Sequence, residues 1–423
     1  MGVGGRGAVS GVGEQGRRGE SGDKKQETHI AIVVVVVARL VKGLLLNVCS
    51  GYAAGMLPRR VDNPPNPFST TERAYLEGMD PGAVVEVYED HARSILATND
   101  SPDVGFRWSV NPYRGCQHAC AYCYARPTHE YLSLGAGTDF DTKIHVKLQA
   151  ATLLEEAFDK RAWQGETVVF SGVTDCYQPL EASYRLTRQC LQVCARYRNP
   201  VGLITKSPLI ERDLDVLLEL QATARVGVSI SIPFFDPVKA RAIEPWVATP
   251  ARRLRTIETL SKAGLKVGVM TAPIIPGLSD EEMPRILEAA RDAGAVHAGW
   301  VLLRLPGSVA SVFEQRVRAA FPDRVDKIMS RVVESRGGHD DDGAARLYDP
   351  RFGKRQTGEG PYAQMIGALF TSTAKRLGLN ARSKDGQEQS VVAGQDRAHD
   401  GTLWSREPST FLRPDKSPQL KLF

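Results

Sequence analysis

Three cysteines, Cys116, Cys120 and Cys123, stand at C-x-x-x-C-x-x-C spacing in the stretch Asn111-Pro-Tyr-Arg-Gly-Cys116-Gln-His-Ala-Cys120-Ala-Tyr-Cys123-Tyr124, just after a strand-like run at 106–110. Thiolates are metal ligands, and three on one loop can hold three corners of an iron–sulfur cube. The fourth iron then lacks a protein ligand. An open metal position is where chemistry happens, by the logic that separates catalytic from structural zinc sites. The competing reading is a structural zinc knuckle with His118 or a distant cysteine as fourth ligand. Zinc sites usually pair C-x-x-C elements, and the sequence has no second pair. Cys190 and Cys194 lie four apart in a helical segment, where they read as small packing residues.

A loop of this kind needs a scaffold. Six strands are predicted at 106–110, 167–172, 201–205, 225–232, 266–272 and 298–303. They are nearly continuous apolar runs rich in Val, Ile and Thr, the pattern of buried parallel strands. Helix-like segments at 148–163, 180–197, 209–220, 250–263, 281–293 and 308–321 alternate with them. Gly264 and Gly294 fall at helix C-caps, and Ser279 and Asp280 at an N-cap. The fold class is therefore α/β, a parallel sheet curled into a partial (β/α)6 barrel, with a helical C-terminal extension (a helix at 362–377) and disordered tails. In such barrels the site lies at the C-terminal strand ends. There the sequence places Ser171, Gly172, Thr174 and Asp175 after the second strand and Lys206 at the end of the third. Ser229 and Ser231 end the fourth, 273–277 form the turn after the fifth, and Arg304 ends the sixth.

The chain has 423 residues, 42% hydrophobic and 24% charged, which is ordinary for a globular protein with a large core. Its 54 Lys+Arg against 49 Asp+Glu give a net charge of +5, which permits a polyanionic partner without demanding one. Seven cysteines in this length are no disulfide framework, so a reducing cytoplasm is expected. Residues 1–28 are rich in Gly, Arg, Glu and Ser without periodicity, and read as disordered. The apolar run from Ile30 to Leu46 is interrupted by Arg39 and Lys42, too short a clean stretch for a membrane helix, and no membrane association is expected. We read Met56 as the coding start and the segment before it as spurious or non-structural, in preference to a targeting segment or an ordered element. The expected divisions are 1–56 (disordered or spurious), 57–105 (N-terminal extension), 106–325 (barrel), 326–380 (C-terminal extension) and 381–423 (flexible tail). Arg346, Arg351, Lys354 and Arg355 form a basic run that reads as a solvated face or a phosphate-contacting patch. His339 with Asp340, Asp341 and Asp342 reads as an acidic surface loop.

The cysteine spacing, with Tyr122 before the last cysteine, resembles the signature of the radical S-adenosylmethionine (SAM) enzymes. A wider set of segments resembles the bacterial group related to spore photoproduct lyase, often described as DNA repair photolyase-like. These are Ala92-Arg-Ser-Ile-Leu96, Asn99-Asp-Ser-Pro102, Tyr122-Cys-Tyr-Ala-Arg-Pro127, Thr174-Asp-Cys-Tyr-Gln-Pro179, Thr205-Lys-Ser207, Ala272-Pro-Ile-Ile-Pro-Gly277, Leu302-Leu-Arg-Leu-Pro306, Tyr348-Asp-Pro-Arg-Phe-Gly353 and Gly358-Glu-Gly-Pro-Tyr362. The resemblance implies a [4Fe–4S] cluster on the three cysteines, SAM chelated to the unique iron, and reductive cleavage of SAM to a 5′-deoxyadenosyl radical. It puts Tyr122 near the adenine, the turn from Ser171 to Asp175 at the methionine part, and Lys206 near the SAM carboxylate, which a lysine answers as a point charge. Arg304 would face that carboxylate or a substrate phosphate. An electron donor such as flavodoxin or ferredoxin is implied as well. One departure stands out. Where the lyase has a hydrogen-donating cysteine just after the second strand, this chain has Gly172, and Cys176 four residues later is the candidate donor.

The final residues, Gln419-Leu-Lys-Leu-Phe423, resemble the motif by which bacterial DNA polymerases and repair proteins dock on the sliding clamp. Leu420, Leu422 and Phe423 would fill an apolar groove while Gln419 hydrogen-bonds. The leading expectation is a radical SAM enzyme acting on DNA. The alternatives are the same chemistry on a protein or small molecule, and a metal-bearing binding module without turnover.

Overall fold

The computed structural model describes residues 85–381 and 409–414. The apolar run at 30–46, Met56 and the motif at 419–423 lie outside the described residues. Among the described residues no helix is long and apolar enough to cross a membrane. The strands are β1 (Glu86–Glu89), β2 (Leu96–Thr98), β3 (Trp108–Val110), β4 (Tyr113–Arg114), β5 (Lys143–Val146), β6 (Val168–Phe170), β7 (Val201–Thr205), β8 (Val226–Ser231), β9 (Val267–Ile274) and β10 (His297–Leu302).

A seven-stranded sheet runs in the order β10-β9-β8-β7-β6-β3-β2. Its neighbours are parallel except β2, which pairs antiparallel with β3. The six expected parallel strands are therefore present and adjacent in chain order, as right-handed βα units require. Register places Val110 beside Phe170 and Phe170 beside Leu203. The strand ends thus collect along one rim. Helices Ala150–Asp159, Leu186–Arg196, Leu214–Thr223, Pro250–Lys262 and Met283–Asp292 cover the sheet. They bury Leu154, Phe158, Leu191, Leu217, Leu220, Ile257, Leu260, Ile286 and Leu287 in one continuous core with the strand side chains. Each such burial is worth about 1.5–3 kcal/mol. Cys190 and Cys194 sit in this core as packing residues. Inside the barrel small residues face each other, Gly202 beside Gly227 and Ser229 beside Gly268. A side chain at Gly268 would come within 3.0 Å of the Ser229 hydroxyl. These small residues keep the interior from filling.

The structure departs from expectation in four places. A second sheet, β1-β5-β4, lies where the sequence suggested no strands, because segments of two to four residues carry too little pattern to detect. The helix predicted at 180–197 is broken at Arg185 (φ 54°) into Glu181–Tyr184 and Leu186–Arg196. The buried Glu181 carboxylate restarts it, accepting the amide hydrogens of Thr187 (3.0 Å) and Arg188 (3.3 Å). An added helix, Val325–Glu334, buries Val325, Ile328 and Val332. The tail expected after 380 is in part docked. Phe411 packs on Phe158 and Tyr197, and Arg413 donates to the carbonyls of Phe158, Lys160 and Trp163. Gly165 (φ 72°) makes room, since a Cβ there would lie 2.1 Å from that of Phe411.

Candidate functional site

The cysteine loop follows β3 directly and is stitched to the turn after β6. Asn111 accepts the Val173 amide hydrogen at 2.9 Å, and Thr174 donates to the Tyr113 carbonyl at 3.3 Å. Gln178 accepts from the Gln117 amide (3.0 Å) and donates to the Gly115 carbonyl (3.1 Å). The His118 ring lies 3.3 Å from the Asp175 carboxylate, both buried. Gly115 is required as glycine: its φ is 79°, and a Cβ would meet His129, Ile144 and the Phe140 carbonyl at 2.9 Å. The far end of the loop is held by Arg126, fully buried, which donates to the carbonyls of Cys120, Ala136 and Gly137 and pairs with Asp141 at 2.9 Å.

The rim encloses a cavity of about 300 Å³. Cys116, Cys120, Cys123 and Tyr122 form one wall, and Ser171, Gly172, Thr174, Asp175, Lys206, Ser231 and Arg304 line the rest. Of the sequence candidates two are not in the lining. Ser229 shares the strand face of Ser231, but its hydroxyl meets Gly268. Cys176 is fully buried in the barrel core, its amide tied to the Ser171 hydroxyl at 3.0 Å. The expected hydrogen donor therefore lies outside the cavity lining, because the chain turns inward after Asp175. Ser171 itself holds a left-handed backbone (φ 74°), strain of the kind that clusters at functional turns.

Charge at the site is arranged in layers. Burial alone would raise the Asp175 carboxyl, but His118, the Thr205 hydroxyl (2.6 Å) and the Lys206 amide (2.8 Å) hold it below the usual carboxylate range. Burial opposes the charge on Lys206, yet Cys120, Glu244 and Asp175 keep its pKa raised. Its ammonium stands 5.8 Å from the centroid of Tyr122. Tyr122 in turn donates to Glu244, which pairs with Arg253, and Arg253 donates to the Ser231 carbonyl at 2.9 Å. The ring on the cavity wall is therefore fixed from behind by a buried ion pair.

The donor set fits a polynuclear cluster better than a single ion. Burial, followed by Cys116 nearby, pushes the Cys123 thiol up to about 11, and burial followed by Glu244 raises Cys120 well above the ordinary value. A bound metal charge would favour their thiolate forms. A lone zinc at about 2.3 Å from each sulfur requires its ligands to converge tightly. A cube that seats each thiolate on its own iron needs no such convergence.

Sequence reasoning missed Tyr124, Gln356, Glu244 and Arg253. Tyr124 follows the last cysteine, lines the cavity and donates to the Gly172 carbonyl at 2.5 Å. Arg304 lies 5.3 Å from its ring centroid and 5.9 Å from that of Tyr348. The basic run at 346–355 is largely neutralised: Arg351 pairs with Asp349 and Glu359, Lys354 with Glu359, and Arg355 with Asp103.

Comparison with known proteins agrees with this site. The radical SAM superfamily description matches residues 110–290. An uncharacterized protein of Mycobacterium tuberculosis is 38% identical over 224 residues, which are 52% of this chain and 66% of that protein. The match thus spans a little under two thirds of that relative's length. An uncharacterized protein of Methanocaldococcus jannaschii is 30% identical over 198 residues, covering 47% of this chain and 71% of the relative. Among solved structures, a spore photoproduct lyase variant with bound AdoMet and dinucleoside spore photoproduct matches with TM-score 0.50 at 14% identity, over 69% of this chain and 80% of that one, a likeness of fold. With the cysteine loop inside the matched span and the barrel around it, the chain belongs to the radical SAM superfamily, whose members carry a [4Fe–4S] cluster and use SAM.

Proposed function

We propose that this protein is a radical SAM enzyme that cleaves SAM reductively and acts on nucleic acid, in the manner of the DNA repair photolyase-like lyases. The observation that carries the chemistry is the set of three thiols, Cys116 and Cys120 buried and Cys123 half-buried, on the wall of a cavity otherwise built from barrel strand ends. When bound, the cluster supplies the electron that breaks the sulfonium C–S bond of SAM, giving methionine and a 5′-deoxyadenosyl radical. The chain's residues bind and orient. Lys206 offers a positive charge to the SAM carboxylate. The turn from Ser171 to Asp175 presents backbone and hydroxyl groups to the methionine part. Tyr122 flanks the adenine, and Ser231 closes the wall beside it. Apolar lining from Val169, Leu203 and Val301 excludes water from the reacting centre.

What supports nucleic acid as the substrate class is the fold neighbour's dinucleoside ligand and the aromatic–guanidinium group at Tyr124, Arg304 and Tyr348. The sliding clamp is the proposed partner of Gln419, Leu420, Leu422 and Phe423, and flavodoxin or ferredoxin the proposed electron donor. The test is anaerobic reconstitution with iron and sulfide, then reduction with dithionite in the presence of SAM. Formation of 5′-deoxyadenosine is expected. A reconstituted, reduced protein that yields none ends the enzymatic reading.

A further inference from the structure

Two buried polar atoms at the rim have no partner: the Nε–H of Arg304 and the Oε1 of Gln356. Both residues line the cavity. Gln356 is 4% exposed, and its backbone carbonyl accepts the Leu302 amide at 2.7 Å, which anchors it at the end of β10, two residues before Arg304. Folded chains pair nearly all buried donors and acceptors, and one of each left unpaired on two residues that line the same cavity points to a ligand that brings the complement. The Arg304 guanidinium is otherwise occupied by its setting. It lies against the rings of Tyr124 and Tyr348, and one terminal nitrogen reaches the Tyr348 hydroxyl at 3.5 Å. Its Nε edge is therefore held in place. Tyr124 is 46% exposed, with its hydroxyl tied to the Gly172 carbonyl, so it offers a fixed aromatic surface at the same mouth.

We propose that Arg304 and Gln356 form a recognition subsite for a planar ring with adjacent C=O and N–H groups, the lactam or imide edge of a nucleobase, seated against Tyr124. Arg304 Nε–H donates to the ring carbonyl and Gln356 Oε1 accepts from the ring N–H. The site would then read the base itself, with the guanidinium working as a directed donor in place of a counter-ion for phosphate. This rests on the nucleic-acid reading above and sharpens it to a base edge. A pocket built to hydrogen-bond a polar edge rejects analogues that lack it far more strongly than an apolar pocket rejects a missing methylene.

The experiment is equilibrium binding to the reconstituted protein with SAM present, using fluorescently labelled single-stranded thymidine pentanucleotides. One carries an ordinary central thymidine and the other N3-methylthymidine, which has lost the N–H. Wild type should bind the first at least about tenfold more tightly, the discrimination lost with one buried hydrogen bond. Gln356→Leu should erase the difference by weakening only the unmodified ligand, and Arg304→Lys, which keeps the charge but moves the donor, should weaken both. Equal binding of the two ligands by wild type overturns the proposal and does not depend on any variant folding. So does a Gln356→Leu protein with a native circular dichroism spectrum that still discriminates. SAM cleavage to 5′-deoxyadenosine in the same preparation is read separately, so a failed subsite and a failed enzyme assignment give different results.

Discussion

Glu244→Gln isolates the support behind the cavity wall. Glu244 and Arg253 pair with side chains 0% and 1% exposed, and Tyr122 donates to the same carboxylate. The amide keeps the shape and an acceptor for Tyr122. It removes the charge that compensates Arg253, which is left with two carbonyls, Ala248 and Ser231. Breaking a buried pair by removing one partner costs about 3–5 kcal/mol, because the other charge stays desolvated. Arg253→Met strands the carboxylate and should cost a similar amount. The double variant leaves no unpaired charge, and its loss should fall well short of the sum of the two single losses. The assay is urea denaturation of the four apoproteins followed by circular dichroism, compared at constant m-value. A Glu244→Gln protein within about 1 kcal/mol of wild type, or strictly additive single losses, would refute the reasoning. The loss also has a functional side. Tyr122 is held on the cavity wall by this pair, so the reconstituted variant should bind SAM more weakly by equilibrium dialysis.

Lys147 is buried, its ammonium donating to the Asn111 carbonyl at 2.8 Å, and burial, then the charge of Arg114, pushes its pKa down to about 8 from 10.5. Below pH 8 both folded and unfolded chains carry the proton and the penalty of about 3 kcal/mol is fully present; between pH 8 and 10.5 only the unfolded chain keeps it, so stability rises with pH. Lys147→Met, after losing about 1 kcal/mol of hydrogen bonding, should be about 2 kcal/mol more stable than wild type at pH 7 by urea titration, with the advantage shrinking above pH 8; an advantage that does not shrink refutes the cause. Asp103→Asn removes the carboxylate that pairs with Arg355 and accepts the Gly353 amide hydrogen at 2.7 Å, and should cost about 2 kcal/mol in the same assay, where an unchanged midpoint counts against it. Phe411→Ala should lower stability by about 1–2 kcal/mol by removing a ring packed on Phe158 and Tyr197, which thermal denaturation checks. Cys120→Ala should lose the brown colour of the reconstituted protein, and retention of the full visible spectrum would show the ligands are misassigned.

What was legible in the sequence had a repeating physical cause. Six strands were readable because buried parallel strands are rich in Val, Ile and other apolar residues; Val168–Phe170 is apolar and buried throughout, and Val226–Ser231 alternates Val and Ile with Gly and Ser. The cysteine loop and most rim residues were readable because chemistry-bearing side chains gather at strand C-termini. Contacts between distant segments were not readable. Glu244 lies 122 residues from Tyr122, and Asp103 lies 252 from Arg355. Neither pair leaves a local pattern, and each is defined only when the barrel brings its segments together. Gln356 is of the same kind, an ordinary polar residue between Arg355 and Thr357 whose meaning comes from β10 beside it. Cys176 is the converse case: it is close in sequence to the turn after β6, yet its side chain lies in the core and not in the cavity lining.

That placement bears on the expected hydrogen donor, and so does the packing around Gly172, the position that the resemblance pairs with the lyase's cysteine. A Cβ built at Gly172 would lie 3.1 Å from the Ser109 Cβ and 3.2 Å from its hydroxyl, tighter than ordinary packing. The Gly172 carbonyl also accepts the Tyr124 hydroxyl. A cysteine at 172 would press on Ser109, which would have to give by a few tenths of an ångström, on a backbone already engaged. Cys176 supplies no substitute from within the core. Neither Gly172 nor Cys176 thus presents a thiol in the cavity lining. We expect Gly172→Cys to destabilise the protein and Cys176→Ala to leave 5′-deoxyadenosine formation unchanged. A Cys176→Ala protein that folds and binds its cluster normally but turns over poorly would restore the thiol to the mechanism.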